Sequence, residues 1–257
     1  MCRSRGIEVI VVDDANDPAL AARIARMRAD LLLTGAYPQI FREPLLSATL
    51  FPLNIHPSLL PRLRGANPIY WALATGAKET GATAHIMLSQ VDAGPVLTQS
   101  AVAITDDDDY YALYAKVVRV VPGVVSAALS AAGRGERGIP QNEAEATSFR
   151  EPRAADRRLD WPGSPARALW DRVRAGRAFT FLHSEPVEVV QARVDTQPPG
   201  DWKAATGGTF LMLGPDGPGV STSQGLLFLT RVLFRGVYMD GWTFATAAGL
   251  RPGEKFT

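Results

Sequence analysis

The stretch Asn54–Pro61, running on to Pro68, constrains this chain most, because it sets polar chemistry where a buried strand should give way to a loop. Leu50-Phe51-Pro52-Leu53 is apolar, and Asn54 and His56 follow two residues apart, so on an extended backbone their side chains leave the same face. Pro57 lacks a ladder donor and biases His56 toward an extended conformation, which places the histidine at the strand's carboxyl end. Open α/β sheets bind ligands at that end. The amide of Asn54 can donate to an oxygen gaining negative charge, and the imidazole of His56 exchanges a proton near neutral pH. Acyl transfer asks for both, together with a group that orients the imidazole. Asp92, in Val91-Asp92-Ala93-Gly94-Pro95, is the best candidate: Gly94-Pro95 forces a turn after the alternating run Ala82–Leu88, which can return the carboxylate over the first strand. Taken singly, each residue also fits a bland role, as a cap or a structural histidine. The case rests on their combination.

These residues belong to a longer pattern: Asn54-x-His56-x-Ser58-Leu59-Leu60-Pro61-x-x-Arg64-Gly65, then Thr80-Gly81-Ala82-Thr83, then Asp92-x-Gly94-Pro95. It resembles the 10-formyltetrahydrofolate-dependent formyltransferases, closely over residues 31–97 and more weakly to the C-terminus. The resemblance implies an α/β, Rossmann-like catalytic domain followed by a small OB-like β-barrel, with Asn54, His56 and Asp92 as the catalytic trio. It implies that Ala36, Tyr37, Pro38, Gln39 and Ile40, with Val91 and Asp92, lie against the folate cofactor. Ser58, Arg64, Gly65 and His85 are the expected substrate-side residues. His85 is in phase with Thr83 and Met87 on its strand, so a place in the same cleft and a structural role both stay open.

Composition narrows the alternatives. With 46% hydrophobic residues, 257 residues are enough for one large or two modest cores. Lys plus Arg number 27 against 26 Asp plus Glu, which leaves no global field for a polyanion. The single cysteine, Cys2, excludes an internal disulfide framework, and no cysteine cluster offers a metal site. Neither a signal peptide nor a membrane-spanning apolar run is evident, so a cytoplasmic protein is expected.

In chain order, Ile7–Val12 reads as a buried parallel strand, Asp17-Pro18 opens a helix to Arg28, and residues 30–34 form the next strand. Measured against the family, the usual opening strand, helix and strand are missing ahead of Ile7, so an N-terminally shortened domain is expected, either truncated or completed in another way such as pairing into a homodimer. Residues 68–73 predict a helix closed by Gly76, and residues 102–104 a further strand. Asp106 to Asp109 precede a helix over Tyr110–Leu129 and read as its caps rather than as a metal site. Residues 1–132 are thus expected as the catalytic domain, 133–158 as a Gly-, Arg- and Glu-rich linker, and 159–257 as the C-terminal domain. There, Ser164-Pro165 starts a helix, and residues 187–192, 208–213, 219–222 and 225–229 read as short strands of a small barrel. Residues 151–257 carry 13 Lys plus Arg against 11 Asp plus Glu, a faint footprint for nucleic acid.

The resemblance implies transfer of a formyl group from 10-formyltetrahydrofolate to a small-molecule amine, with tRNA a less favoured acceptor. A hydrolase of the same donor and a non-catalytic folate-binding protein are the competing readings.

Overall fold

The computed structural model describes residues 3–198 and 205–257; Cys2 lies outside them. Along the chain come α1 (Pro18–Met27), β1 (Leu31–Gly35), β2 (Phe51–His56), the two-residue β3 (Arg64–Gly65), α2 (Pro68–Ala74), β4 (Glu79–Ile86), β5 (Val96–Ala103) and α3 (Tyr110–Gly133). There follow the short β6 (Ser148–Phe149), α4 (Ala154–Arg157), α5 (Ala166–Arg174), β7 (Ala178–Leu182), β8 (Glu185–Asp195), β9 (Phe210–Gly214), β10 (Gly217–Ser221), β11 (Leu226–Phe234), β12 (Val237–Asp240) and α6 (Gly241–Ala247). The class is mixed α/β. Two compact units divide it: Met1–Arg64 with Gly81–Ser100 and Val120–Thr147, and Gly65–Thr80 with Ala101–Arg119 and Ser148–Thr257.

In the first unit a four-stranded sheet runs in the order β1-β2-β4-β5. β1 pairs in parallel with β2, setting Thr34 opposite Asn54, and β4 pairs antiparallel with β2, setting His85 opposite Asn54 and Thr83 opposite His56. Directly opposed residues share a face, so this register alone collects Asn54, His56 and His85 on one side. Helix α1 starts as its sequence dictates, with the Asp17 carboxylate accepting from the Ala19 amide and Pro18 in the first turn. Ala21 of α1 packs with Ala15 and Leu45 in a small core that Ile24, Leu32 and Phe41 extend.

One strand prediction fails in this unit. Ile7–Val12 forms no strand, and Ile7, Val9, Ile10 and Val11 are exposed, Val11 by 85%. An apolar run becomes a parallel strand only where a neighbour supplies a ladder and both faces are covered, and this run has neither. β5 is also longer than predicted, beginning at Val96 instead of Val102.

In the second unit, β7-β8-β11-β10-β9 form an antiparallel sheet with β12 beside β11. Its core holds Trp161, Leu169, Phe210, Leu229, Phe244 and Phe256, and the Trp161 indole donates to the Thr180 hydroxyl at 2.8 Å. The ladder of named strands does not close. Residues at the C-terminus lie along both edges: Phe181 and Thr257 exchange backbone hydrogen bonds, and the Phe210 amide donates to the Glu254 carbonyl. The four strands predicted here are present as β8 to β11, whereas β7, β12 and α6 were not foreseen. Of the acidic run only Asp109 is seen to cap the helix, accepting from the Ala112 amide; Asp108 accepts from Thr105 and Lys116, and Asp106 pairs with Arg167.

Helix α3 corrects another expectation, for by length and composition alone it is long and apolar enough to cross a membrane. Leu113, Val117, Val124 and Ala128 are buried along one face of it, whereas Tyr111, Tyr114, Val118 and Leu129 are exposed.

Candidate active site

Four side chains of the first unit converge. His56, only 4% exposed, turns Nδ1 to within 3.4 Å of one Asp92 carboxylate oxygen, and His85 Nε2 lies 3.4 Å from the other. Asn54 Nδ2 is 3.2 Å from His85 Nε2 and 3.5 Å from Asp92 Oδ1. The predicted trio is therefore assembled, and His85 joins it as the register requires.

The donors and acceptors fix the protonation pattern. A carbonyl only accepts, so His56 Nε2–H donates to the Leu63 carbonyl at 2.8 Å, which leaves Nδ1 as the nitrogen free to exchange a proton. By the same logic His85 Nδ1–H donates to the Ile86 carbonyl at 3.1 Å, and its Nε2 accepts from the Asn54 amide. That orients the Asn54 NH2 group toward the carboxylate, where its second N–H meets Asp92 at a length too long for a strong bond. Burial holds the His56 pKa below its ordinary value; the Asp92 charge and the Leu63 carbonyl oppose this, and His85 adds to it.

Two backbone features aim these groups. Asp92 at φ 53° and Leu63 at φ 61° are both left-handed, a conformation that costs a non-glycine residue energy and persists where the surroundings enforce it. The turn carrying Asp92 is pressed close: a Cβ on Gly94 would meet the Ile86 carbonyl oxygen at 1.8 Å.

The other predicted residues lie around this cluster. Ser58 is buried and donates to the Arg62 carbonyl at 2.7 Å. The Arg64 guanidinium, also buried, is held by Gln141 and Glu143. Gly65 sits at φ 92° against the Phe149 carbonyl, leaving no room for a side chain. In the loop after β1, Ala36 is left-handed at φ 53°, Tyr37, Pro38 and Ile40 are exposed, and the Gln39 amide bonds the Ala15 amide and the Asp13 carbonyl. Val91 is exposed beside Asp92. Sequence reasoning missed Gln141; its one signal is a long amide side chain next to Pro140.

Two family models match, "Formyl transferase" over residues 11–129 and "Formyl transferase, C-terminal domain" over residues 153–248. The chain belongs to the formyl transferase family. Among solved structures, the chain resembles HypX from Aquifex aeolicus in complex with tetrahydrofolic acid, with a TM-score of 0.65 and 20% identity over 98% of this chain and 45% of that one. WlaRD, a sugar 3N-formyl transferase determined in the presence of dTDP and 5-N-formyl-THF, gives a TM-score of 0.65 at 12% identity, covering 88% of this chain and 77% of its own. Glycinamide ribonucleotide transformylase 1 from Symbiobacterium toebii is 28% identical over 55% of this chain and 73% of its own, with a TM-score of 0.50. The chain thus spans less than half the length of HypX.

Proposed function

We propose that this protein moves a formyl group from 10-formyltetrahydrofolate to the amine of a small molecule. The observation that carries the reading is the buried cluster of Asn54, His56, His85 and Asp92, which offers a hydrogen-bond donor and a proton-exchanging nitrogen beside a carboxylate. The residues present fit a folate donor: the polar cluster provides an N–H that is only loosely engaged, and Tyr37 and Ile40 give the loop after β1 exposed apolar surface suited to a flat ring. Residues 36–40, Val91 and Asp92 would hold it. When bound, the donor supplies a formyl carbon on a nitrogen leaving group.

The formyl carbon exchanges one nitrogen for another, so a C–N bond to the acceptor forms, the bond to the folate nitrogen breaks, and one proton passes from the amine to the leaving nitrogen. Asn54 donates its loosely held N–H to the oxygen on which negative charge develops. His56, kept neutral near pH 7 by burial, takes up a proton at Nδ1, and Asp92 stabilises the imidazolium that results. His85 holds the Asn54 amide in its donating orientation. No covalent enzyme intermediate is required.

A small acceptor is favoured over tRNA by the near-neutral charge of residues 151–257, and the likeness to WlaRD, a sugar 3N-formyl transferase, supports that class. For the C-terminal unit the OB-like barrel is our reading, supported by the bonds from residues 254–257 to both β7 and β9.

The test is a steady-state assay of the purified chain with 10-formyltetrahydrofolate and a panel of amino sugars, hydroxylamine-bearing amino acids and other small amines, followed by tetrahydrofolate release. Release that depends on an amine is expected. Formate production independent of amine would replace this reading with hydrolysis, and folate binding without turnover would replace it with a binding role.

A further inference from the structure

Gln141 lies outside the four-residue cluster, yet its side chain reaches the backbone that carries the catalytic carboxylate. Its Nε2 donates to the carbonyls of both Asp92 and Gly94, at 2.8 and 2.7 Å, so both amide hydrogens brace the left-handed turn. Its Oε1 accepts from Arg64 Nε and NH2 at 3.1 and 2.7 Å. Carbonyls only accept and a guanidinium only donates, which leaves a single orientation for the amide. Arg64 is in turn fixed by a two-pronged pair with Glu143 at 3.0 and 2.7 Å. From the same segment, Thr147 Oγ1 accepts from the Leu63 amide at 2.8 Å, and Leu63 supplies the carbonyl that holds His56 Nε2. Both left-handed residues of the site are thereby tied to residues 141–147.

We propose that Gln141 is a positioning residue for formyl transfer, holding the Asp92 turn so that its carboxylate faces His56 and His85, with Arg64 and Glu143 setting the orientation of its amide. This rests on the transfer reading above. A misplacement of about 1 Å at a reacting group costs on the order of a hundredfold in rate, so a brace at this position is worth measuring in turnover.

Two variants separate positioning from bulk stability. Gln141→Glu keeps an acceptor for Arg64 but turns oxygens onto two carbonyls; Gln141→Leu removes both functions. The expected result for each folded variant is a kcat at least about tenfold lower, with KM for the donor changed much less. A second readout does not depend on catalysis. The chain has three histidines, His56, His85 and His183, so the imidazole titrations can be followed individually by NMR. His56 faces Asp92, His85 and the Leu63 carbonyl, and of these the Asp92 charge is the main influence holding its pKa up against burial. Displacing Asp92 therefore moves the His56 midpoint further down in Gln141→Leu, which brings no charge of its own. A folded Gln141→Leu protein with an unmoved His56 midpoint and kcat within twofold of the parent overturns the proposal, as does a loss of thermal stability alone. If the parent transfers no formyl group to any amine, the transfer reading fails while the His56 titration still decides whether Gln141 places Asp92.

Discussion

At the residue scale, His56 has one nitrogen committed to a carbonyl and the other facing a carboxylate, so removing either partner leaves the proton without its route. His56→Ala and Asp92→Ala are expected to lower turnover by about a hundredfold or more, measured as single-turnover rates at saturating donor. Asn54→Ala removes the charge-stabilising donor and is expected to cost a similar factor in kcat. The depressed pKa of His56 also makes a statement about stability. Between its folded pKa and the ordinary value near 6.5, the unfolded chain binds a proton that the folded chain does not. The contribution is fully present above about pH 6.5 and is lost as pH falls through the folded pKa. Denaturant midpoints measured from pH 7.5 to 5 should therefore fall more steeply for the parent than for His56→Gln. Asn54 and His56 were legible because strand alternation needs only their spacing of two. His85 was half-legible, since its phase was readable but its opposition to Asn54 depends on register. Gln141 was not, because nothing local reveals which turn a long amide will reach.

At the level of elements, the turn between β4 and β5 is the most confined part of the site. Gly94→Ala would drive a Cβ into the Ile86 carbonyl, which cannot swing aside as a side chain would, and a loss on the order of 3 kcal/mol is expected in urea unfolding. Activity should fall with it, since Asp92 rides on that turn. The caps of α1 and α3 and the strand β2 followed directly from residue types, as did the four strands β8 to β11. Where the reading erred, tertiary context decided. Ile7–Val12 has the composition of a parallel strand but no strand partner, and β7, with Ala178, Thr180 and Leu182 buried, follows the left-handed Gly176 but is too short for its alternation to stand out in the sequence.

On the scale of the whole molecule, the C-terminal unit depends on its last residues. Phe256 is 2% exposed and packs near Trp161 and Phe244, while its neighbours bond to both free edges of the sheet. Phe256→Ala is expected to cost about 3–5 kcal/mol in equilibrium unfolding of that unit. A chain with a formal charge of +1 should hold a generic tRNA only weakly at physiological salt, so filter binding across a salt series is a direct check on the small-acceptor reading. The hydrogen bond from His56 Nε2 to Leu63 has one more consequence, and it concerns time. A buried imidazole proton locked on a backbone carbonyl cannot trade with water until that part of the chain opens, so it should appear as a slowly exchanging signal and serve as a built-in clock for local opening of the catalytic turn.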